Sequence, residues 1–438
     1  MSKFIRGVNK KYLVDNALSL SGLFFNIAVL IFSTKYIVVH IGVEIYGINL
    51  LMVGISTFAG LVGMGYLSNL IVILHKYQGG ERSKIIGSYF TIQLLLGILG
   101  ALIYFAVILH PGIVLSDTKN YAVFKEFCIY YMFMFLMNHL TAFFEALLFY
   151  NYHVIKFRSI LDIVKGGVSN LLICLCVHLD KDYTYLFKVP LVITILCSLA
   201  TILLFMYKTR IRLDFSTFKW RIFYTEFRDS ISFWSLNASF IVLTTFDSFF
   251  ISKYIGDMKS VVYYGQSYRM MEIVNRMLRI VLTNKSPKLL QTYAEGNISG
   301  TFNIFRKMLT LNISVAVMAG LLIPTVGYYL LQVWLGSHVT FDRDLLIVFS
   351  FLLLSSSTYW VFWTFFNIVK FQKKTMQIAL VEIVCNLSLS YILIIKYGVI
   401  GLAIASLISN LISIGLMLYL FKQFKLSVAS HSATKEDK

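Results

Sequence analysis

Four charged residues, Arg269, Glu272, Arg276 and Arg279, lie within an otherwise apolar stretch of the chain. On a helix, at about 100° per residue, they share a face only about 80° wide, which Thr283 extends. One carboxylate cannot neutralise three guanidinium groups, so this face carries a net positive charge. Because an arginine fork donates two parallel hydrogen bonds, such a face suits a phosphate-bearing ligand in a wet cavity. The competing interpretation is a set of buried ion pairs that join helices.

Four more polar residues in apolar stretches are candidates for cavity lining or for ion coupling. Asp15 and Asn26 share one narrow face of a predicted first helix, where small polar residues can equally join helices. An ionised Asp247 needs a partner inside a membrane, and an arginine of the following helix is the expected one. Glu382 has no cation on its own helix. It is therefore a candidate coupling residue, or else a side chain hydrogen-bonded to the next helix.

The remaining polar side chains have structural interpretations. Glu145 is expected to be hydrated at the inner interface, and Asp162 is expected to pair with Lys165 at spacing i, i+3. His139 is expected to be a hydrogen-bonded packing residue rather than a proton relay. Pro324 predicts a kink or loosened hydrogen bonding within its helix.

The sequence has no P-loop, no His or Cys cluster with metal spacing, no nucleophile elbow and no paired carboxylates on a predicted outer loop. We therefore expect a protein that is not an enzyme and needs no cofactor or metal. Transport powered by ATP hydrolysis in this chain is excluded. All five cysteines fall in apolar segments, so a disulfide framework is not expected.

The composition indicates a polytopic membrane protein. Of 438 residues, 58% are apolar and 14% are charged, whereas soluble proteins have about 45–50% and about 25%. These values exclude a disordered chain and a nucleic-acid-binding domain, and they argue against a soluble enzyme. The net charge of +18 is typical of a membrane protein whose Lys and Arg lie in cytoplasmic loops.

Apolar stretches of about 20 residues, the length that crosses a bilayer, predict an all-α chain with twelve membrane spans. They lie at 13–38, 46–73, 85–109, 127–150, 159–178, 188–207, 231–254, 261–284, 308–334, 345–368, 377–395 and 399–421. Pro287 is expected to end span 8. With the amino terminus inside, 27 Lys and Arg fall on inner segments, nine on outer segments and three within span 8. This asymmetry predicts cytoplasmic termini.

A repeated motif indicates two related halves. Lys35-Tyr36-Ile37 and Tyr46-Gly47 recur as Lys253-Tyr254-Ile255 and Tyr264-Gly265, at an offset of 218 in a chain of 438 residues. Two six-helix halves of the same orientation would enclose a central cavity. The chain is therefore predicted to have four segments. They are a first bundle at 1–207, a cytoplasmic linker at 208–230, a second bundle at 231–421 and a polar, disordered cytoplasmic tail at 422–438.

Further motifs lie in the second half of the chain: Asp247, Gly256, Tyr263-Tyr264-Gly265, Pro287-Lys288 and the Lys396–Ser406 segment between spans 11 and 12. Together they resemble the polysaccharide flippases of the Wzx type. This superfamily also contains multidrug/cation antiporters and peptidoglycan-precursor flippases. The resemblance implies a V-shaped pair of bundles whose cavity opens alternately to each side. It also implies an undecaprenyl-pyrophosphate-linked oligosaccharide as cargo, with Arg269, Arg276 and Arg279 at its anionic head.

The predicted function is therefore export of lipid-linked glycan across the bacterial cytoplasmic (inner) membrane, for O-antigen, capsule or exopolysaccharide synthesis. The expected partners are the lipid-linked oligosaccharide, membrane lipids, a polysaccharide polymerase and a chain-length regulator, with no nucleic acid. Three other functions remain open at this point: a multidrug exporter of the same fold, an integral-membrane glycosyltransferase or ligase, and a lipid II flippase. Short outer loops argue against the enzyme, and a net positive cluster argues against an exporter of cations.

Overall fold

The computed structural model describes the backbone of residues 2–63, 79–152, 155–209, 245–369 and 371–436, with isolated residues 67, 70, 224, 238, 241 and 242. Side chains are described over 21–63, 82–148, 157–209, 245–280, 285–369 and 371–427, with a few isolated positions. The chain forms two compact units, Met1–Asn237 and Ala238–Lys438. The predicted linker 208–230 lies almost wholly outside the described residues, so its assignment stays a prediction.

The described part of the first unit contains six long helices, at the positions of predicted spans 1 to 6. They are α1 Ser2–Ile41, α2 Val43–Gly60, α3 Gly79–Leu109, α4 Tyr121–Tyr152, α5 Ile155–Ile163 with Ser169–Asp180, and α6 Tyr185–Lys208. A π-helical segment, Val164–Val168, joins the two parts of α5. Short 3₁₀ turns follow α2 at Leu61–Gly63 and precede α4 at Pro111–Ile113 and Thr118–Asn120.

The described part of the second unit contains helices at the positions of predicted spans 7 to 12. Helix α7 is described at 245–250 and ends in π-helical Ile251–Ile255. Helix α8 is Met258–Ala294, and α9 joins Ile298–Leu322 to Tyr328–Leu335 through π-helical Ile323–Gly327. Helix α10 is Arg343–Ile368. One helical run, Gln372–Glu436, breaks at Gly398 (φ 60°, ψ −141°), which divides it into α11 and α12.

The all-α prediction is confirmed for the described part of the chain, where every regular element is a helix. Nine segments there are long and apolar enough to cross a membrane, and one of them, Gln372–Ser427, contains both α11 and α12. Helix α6 shows how such a segment is built. It exposes a stripe of Val192, Leu196, Leu199 and Leu203 and buries Ile193, Cys197, Thr201 and Phe205. The full layout of twelve helices stays a prediction.

Two predictions about helix ends are wrong. Pro287 does not end span 8, because α8 continues through it to Ala294; proline removes one hydrogen bond, and the flanking turns hold the helix. The tail 422–438 is not disordered throughout, since the helical run reaches Glu436. The prediction for Pro324 is confirmed, because this proline lies in the widened π-helical turn Ile323–Gly327 of α9.

The tyrosine of the repeated motif is buried in both units. The Tyr46 hydroxyl lies 3.0 Å from the Thr34 hydroxyl of α1, and the Tyr264 hydroxyl donates to Asp247 of α7. Each tyrosine thus contacts a polar side chain of the preceding helix. The partners themselves differ, because Thr34 and Asp247 do not correspond at the offset of 218. The interpretation of the two motifs as a repeat stays a prediction.

Candidate functional site

Helix α8 brings Glu272, Arg276 and Arg279 into one ionic cluster. The same carboxylate oxygen, Glu272 Oε1, accepts from Arg276 Nε at 3.0 Å and from Arg279 Nη2 at 2.7 Å. The three side chains differ in exposure: 10% for Glu272, 24% for Arg279 and 61% for Arg276. One negative charge therefore serves two positive charges, and Arg276 is the accessible member of the cluster.

Contacts with neighbouring side chains fix the buried part of this cluster. The Arg279 guanidinium lies over the Trp360 ring of α10, 5.0 Å from its centroid. The Tyr268 hydroxyl lies 3.5 Å from the second Glu272 oxygen. Asn275 and Ser356 exchange side-chain hydrogen bonds between α8 and α10, at 3.1 and 3.2 Å. Trp360 of α10 thus covers Arg279, and Glu272 is held by side chains of α8 itself. Arg276 is the member of the cluster with room to reorient.

Arg269 is on the same side of α8 but does not share the Glu272 carboxylate. Its Nη1 donates to the side-chain oxygen of Gln266 at 3.2 Å, and Gln266 is fully buried. The side chain of Thr283, which was predicted to extend the face, lies outside the described residues. The structure therefore joins two of the three predicted arginines through one carboxylate and places the third beside an amide.

Asp247 does not pair with an arginine of α8 as expected. It is 1% exposed, and its Oδ2 accepts a hydrogen bond from the Tyr264 hydroxyl. Its Oδ1 is buried without a partner among the side chains that the structure describes. The expected pairing is wrong because Arg276 and Arg279 donate to Glu272 of their own helix. Asp247 instead accepts from the Tyr264 hydroxyl, which precedes this cluster along α8.

Glu382 is fully buried and is hydrogen-bonded to α12. Its Oε1 accepts from Asn410 Nδ2 at 2.9 Å. One turn further along α11, Asn386 donates to Ser406 of α12 at 3.1 Å. The Tyr359 hydroxyl of α10 also interacts with the Glu382 carboxylate. The hydrogen bond to the neighbouring helix, one of the two interpretations from the sequence, is thus present.

In the first unit, Asn26 packs α1 against the π-helical segment of α5. Its Nδ2 donates to the Asp162 carbonyl at 3.2 Å, and a Cβ on Gly166 would lie 3.0 Å from its amide. Lys165 does not form the expected local pair with Asp162. It lies 3.6 Å from Glu145 of α4 and donates to Asn138, because the π-helical turn that contains Lys165 directs it toward α4. Asp15 is on α1, but its side chain is outside the described residues.

His139 joins α4 to α3, as a packing residue would. Its Nε2 lies 3.0 Å from the Gln93 carbonyl, and the Gln93 side chain donates to the His139 carbonyl at 2.8 Å. A Cβ on Gly63 would lie only 2.4 Å from the imidazole. The ring therefore fills a space that a glycine leaves open.

Sequence reasoning missed Tyr264, Tyr268, Trp360 and Asn410 as partners of the predicted charges. Tyr264 and Tyr268 are four residues apart on α8, on the side that leads to Glu272, and this spacing was available in the sequence. Asn410 belongs to a polar series on the apolar α12, with Ser406, Ser409 and Ser413. Trp360 had no such signal, because its position over Arg279 depends on how α10 packs against α8.

The chain has the fold of transporters of the MOP superfamily. A lipid II flippase MurJ in an inward closed conformation superimposes with a TM-score of 0.74 at 17% identity, over 93% of this chain and 87% of that one. An inward-facing multidrug resistance MATE transporter gives a TM-score of 0.69 at 12% identity, over 94% of this chain and 99% of that one. A MOP-superfamily transporter from Pyrococcus furiosus gives a TM-score of 0.64 at 14% identity, over 94% of this chain and 95% of that one. No family profile and no curated protein matches the sequence.

Proposed function

We propose that the chain is a flippase that moves undecaprenyl-pyrophosphate-linked oligosaccharide across the bacterial cytoplasmic membrane by alternating access, for the synthesis of surface polysaccharide such as O-antigen, capsule or exopolysaccharide. The observation that carries the proposal is the α8 cluster, in which one carboxylate serves two guanidinium groups. The sequence predicts that α8 spans the membrane, and an excess positive charge within a membrane helix needs a functional reason. One protein of the same fold is a lipid II flippase, so this fold can carry a lipid-linked cargo.

The chemistry of the cluster fits a pyrophosphate head. Arg279 is held by Glu272 and Trp360, so it supplies a fixed positive charge at a defined place. Arg276 contacts Glu272 through Nε alone and is 61% exposed, so the outer end of its fork can reach a phosphate oxygen pair. Binding at one fixed and one adjustable cation would leave the sugar and lipid parts free to vary.

A multidrug exporter is the second candidate, because MATE transporters share the fold. A site for organic cations should be acidic, whereas the α8 cluster is cationic. Asp247 favours this candidate, since it is a buried carboxylate that Tyr264, and not an arginine, contacts. The flippase is preferred because Arg276, not Asp247, is the charged group that a ligand can reach. A glycosyltransferase or ligase would need larger outer loops than those predicted.

Flipping by purified protein in liposomes tests the proposal. With a fluorescent undecaprenyl-pyrophosphate-linked sugar, Arg276→Ala should abolish flipping, while Arg276→Lys should retain part of it because charge remains but the fork is lost. Arg306→Ala is the matched control, since this exposed arginine of α9 lies outside the cluster and should flip at the wild-type rate. Wild-type flipping by both Arg276 variants, at equal reconstitution, would refute the proposed role. Transport of a cationic drug that the Arg276 variants do not impair would favour the second candidate.

We further propose that a buried carboxylate couples flipping to an ion gradient. Glu382 is the candidate from the sequence, and Asp247 joins it because the expected arginine does not neutralise it. Glu382→Gln should keep the hydrogen bond from Asn410, because the amide oxygen also accepts, while removing the charge. Loss of the response to an imposed pH or Na⁺ gradient, with flipping still detectable, supports Glu382. An unchanged response in Glu382→Gln and loss in Asp247→Asn would assign coupling to Asp247.

A further inference from the structure

A cavity of about 620 Å³ lies within the second unit, apart from the arginine cluster. Three turns form its walls: the start of α8, the turn between α9 and α10, and the break between α11 and α12. The charge pattern of the sequence places all three turns on the outer side of the membrane. The side chains that give the cavity its chemistry are Asp257, Lys259, Tyr263, His338, Asp342 and Tyr397.

The walls of this cavity are preformed. Asp257 caps α8 by accepting from the backbone N–H groups of Lys259 and Ser260, at 3.0 and 3.2 Å. Asp342 caps α10 by accepting from the N–H of Asp344 at 3.0 Å. Gly398, with φ 60° and ψ −141°, turns the chain in a conformation that only glycine adopts readily. A site with fixed walls binds without first having to order its loops.

The lining lacks the excess positive charge of the α8 cluster. Two carboxylates, Asp257 and Asp342, face the Lys259 ammonium and the His338 imidazole, and the Lys396 ammonium lies over the Tyr397 ring of the wall. The carboxylates balance the two ammonium groups, so the cavity has no net positive charge to attract a pyrophosphate. The same groups supply both acceptors and donors, which a ligand rich in hydroxyl groups can use at once.

Aromatic rings supply the apolar surface. Tyr397 lies in the wall and is half exposed, with the Lys396 ammonium over its ring at 5.2 Å. Tyr263 packs against Phe341, with ring centroids 6.0 Å apart. Convergent polar groups on partly aromatic walls, in a volume between about 300 and 1,000 Å³, are typical of small-molecule sites. A sugar ring matches this lining, since it has an apolar C–H face and a rim of hydroxyl groups.

We propose that this cavity binds an uncharged sugar ring of the glycan as it reaches the outer side, which rests on the proposed flippase function. The arginine cluster and the cavity then divide recognition between them. The cluster takes the charged head that all such cargo shares, and the cavity takes a neutral part of the glycan. The cavity is therefore the place where the identity of the sugar would be distinguished.

Direct binding tests the cavity without any transport step. Saturation-transfer-difference NMR on the full chain in nanodiscs would use free glucose, galactose, mannose and N-acetylglucosamine at millimolar concentration. At least one sugar should receive saturation. Tyr397→Ala should weaken its binding about tenfold, as expected for the loss of an aromatic platform. Asp342→Asn should weaken it several-fold while preserving the fold, because asparagine also caps helices.

Two control variants make the outcomes distinct. Tyr419→Ala removes an exposed tyrosine of α12 that is not in the wall. Arg306→Ala removes an exposed arginine of α9 that lies outside the cluster and the cavity. Both variants should bind sugar as the wild type does. Binding of none of the sugars, or binding that Tyr397→Ala leaves intact, would overturn the proposal. Transfer of saturation to tetramethylammonium, with none to the sugars, would show that the cavity binds an organic cation and would overturn the proposal. If the wild-type protein binds free sugar but does not flip the lipid-linked sugar, the proposed function is refuted and the sugar site is supported.

Discussion

The Glu272 carboxylate should couple more strongly to Arg279 than to Arg276. Arg279 lies 2.7 Å from it, is 24% exposed and is covered by Trp360, whereas Arg276 lies at 3.0 Å and is 61% exposed. Contacting residues in buried networks show coupling free energies of about 0.5–3 kcal/mol, and exposed ion pairs about 0.2–1 kcal/mol. We therefore expect about 1–3 kcal/mol for Glu272 with Arg279 and below about 1 kcal/mol for Glu272 with Arg276.

A double-mutant cycle measures both couplings. The variants are Glu272→Gln, Arg276→Gln, Arg279→Gln and the two double variants that contain Glu272→Gln. The free energy of unfolding would be obtained from SDS titrations in mixed micelles. Glutamine keeps the length of glutamate and a polar end. It is shorter than arginine, and the single arginine variants account for that difference when the cycle is closed. Glu272→Gln combined with Arg306→Gln serves as the control pair and should show no coupling.

Equal couplings, or a larger coupling for Arg276, would refute the expected order. Such a result would mean that Arg276 is held as firmly as Arg279, which would remove the argument that it is the arginine available to the cargo. A result in the expected order would also explain why the Arg276 variants used in the flipping test should remain stable enough to reconstitute.

Three further predictions concern the fold. Gly398→Ala should lower the free energy of unfolding by about 1–3 kcal/mol, because alanine is strained at the positive φ of this position. Gly415→Ala, in open space within α12, should be neutral or stabilising. SDS titration of the two variants measures the difference. Gly63→Ala should destabilise by about 1–3 kcal/mol, since its Cβ would meet His139, whereas Gly60→Ala, with nothing within 4 Å, should not. Equal effects within either pair would contradict the packing described. Cysteines introduced on the predicted outer side, in Asp117→Cys and Thr340→Cys, should react with an impermeant thiol reagent in intact cells. Cysteines introduced on the predicted inner side, in Gly80→Cys and Thr217→Cys, should not react. Labelling of the wild-type chain gives the background.

The positions of the helices follow from the sequence because burial in lipid needs about 20 apolar residues in each span. The beginning of α10 lies within a few residues of its prediction, and its end at Ile368 coincides with it. Where a helix continues beyond the apolar stretch into water, its composition no longer marks the residue at which it ends. Helix α8 runs past Pro287, and the final helical run extends to Glu436, because polar residues are tolerated in a helix outside the membrane.

The sequence by itself determined that Arg269, Glu272, Arg276 and Arg279 share one face, since helical periodicity alone places residues three and four apart together. It also indicated that Asp247 and Glu382 are buried carboxylates. Only the tertiary structure decided their partners: Tyr264 for Asp247, Asn410 for Glu382 and Trp360 for Arg279. The physical reason is that hydrogen bonds and ring contacts act over a few ångströms between helices. Which side chains come that close depends on helix rotation, on π-helical turns such as Val164–Val168, and on the packing of the whole unit.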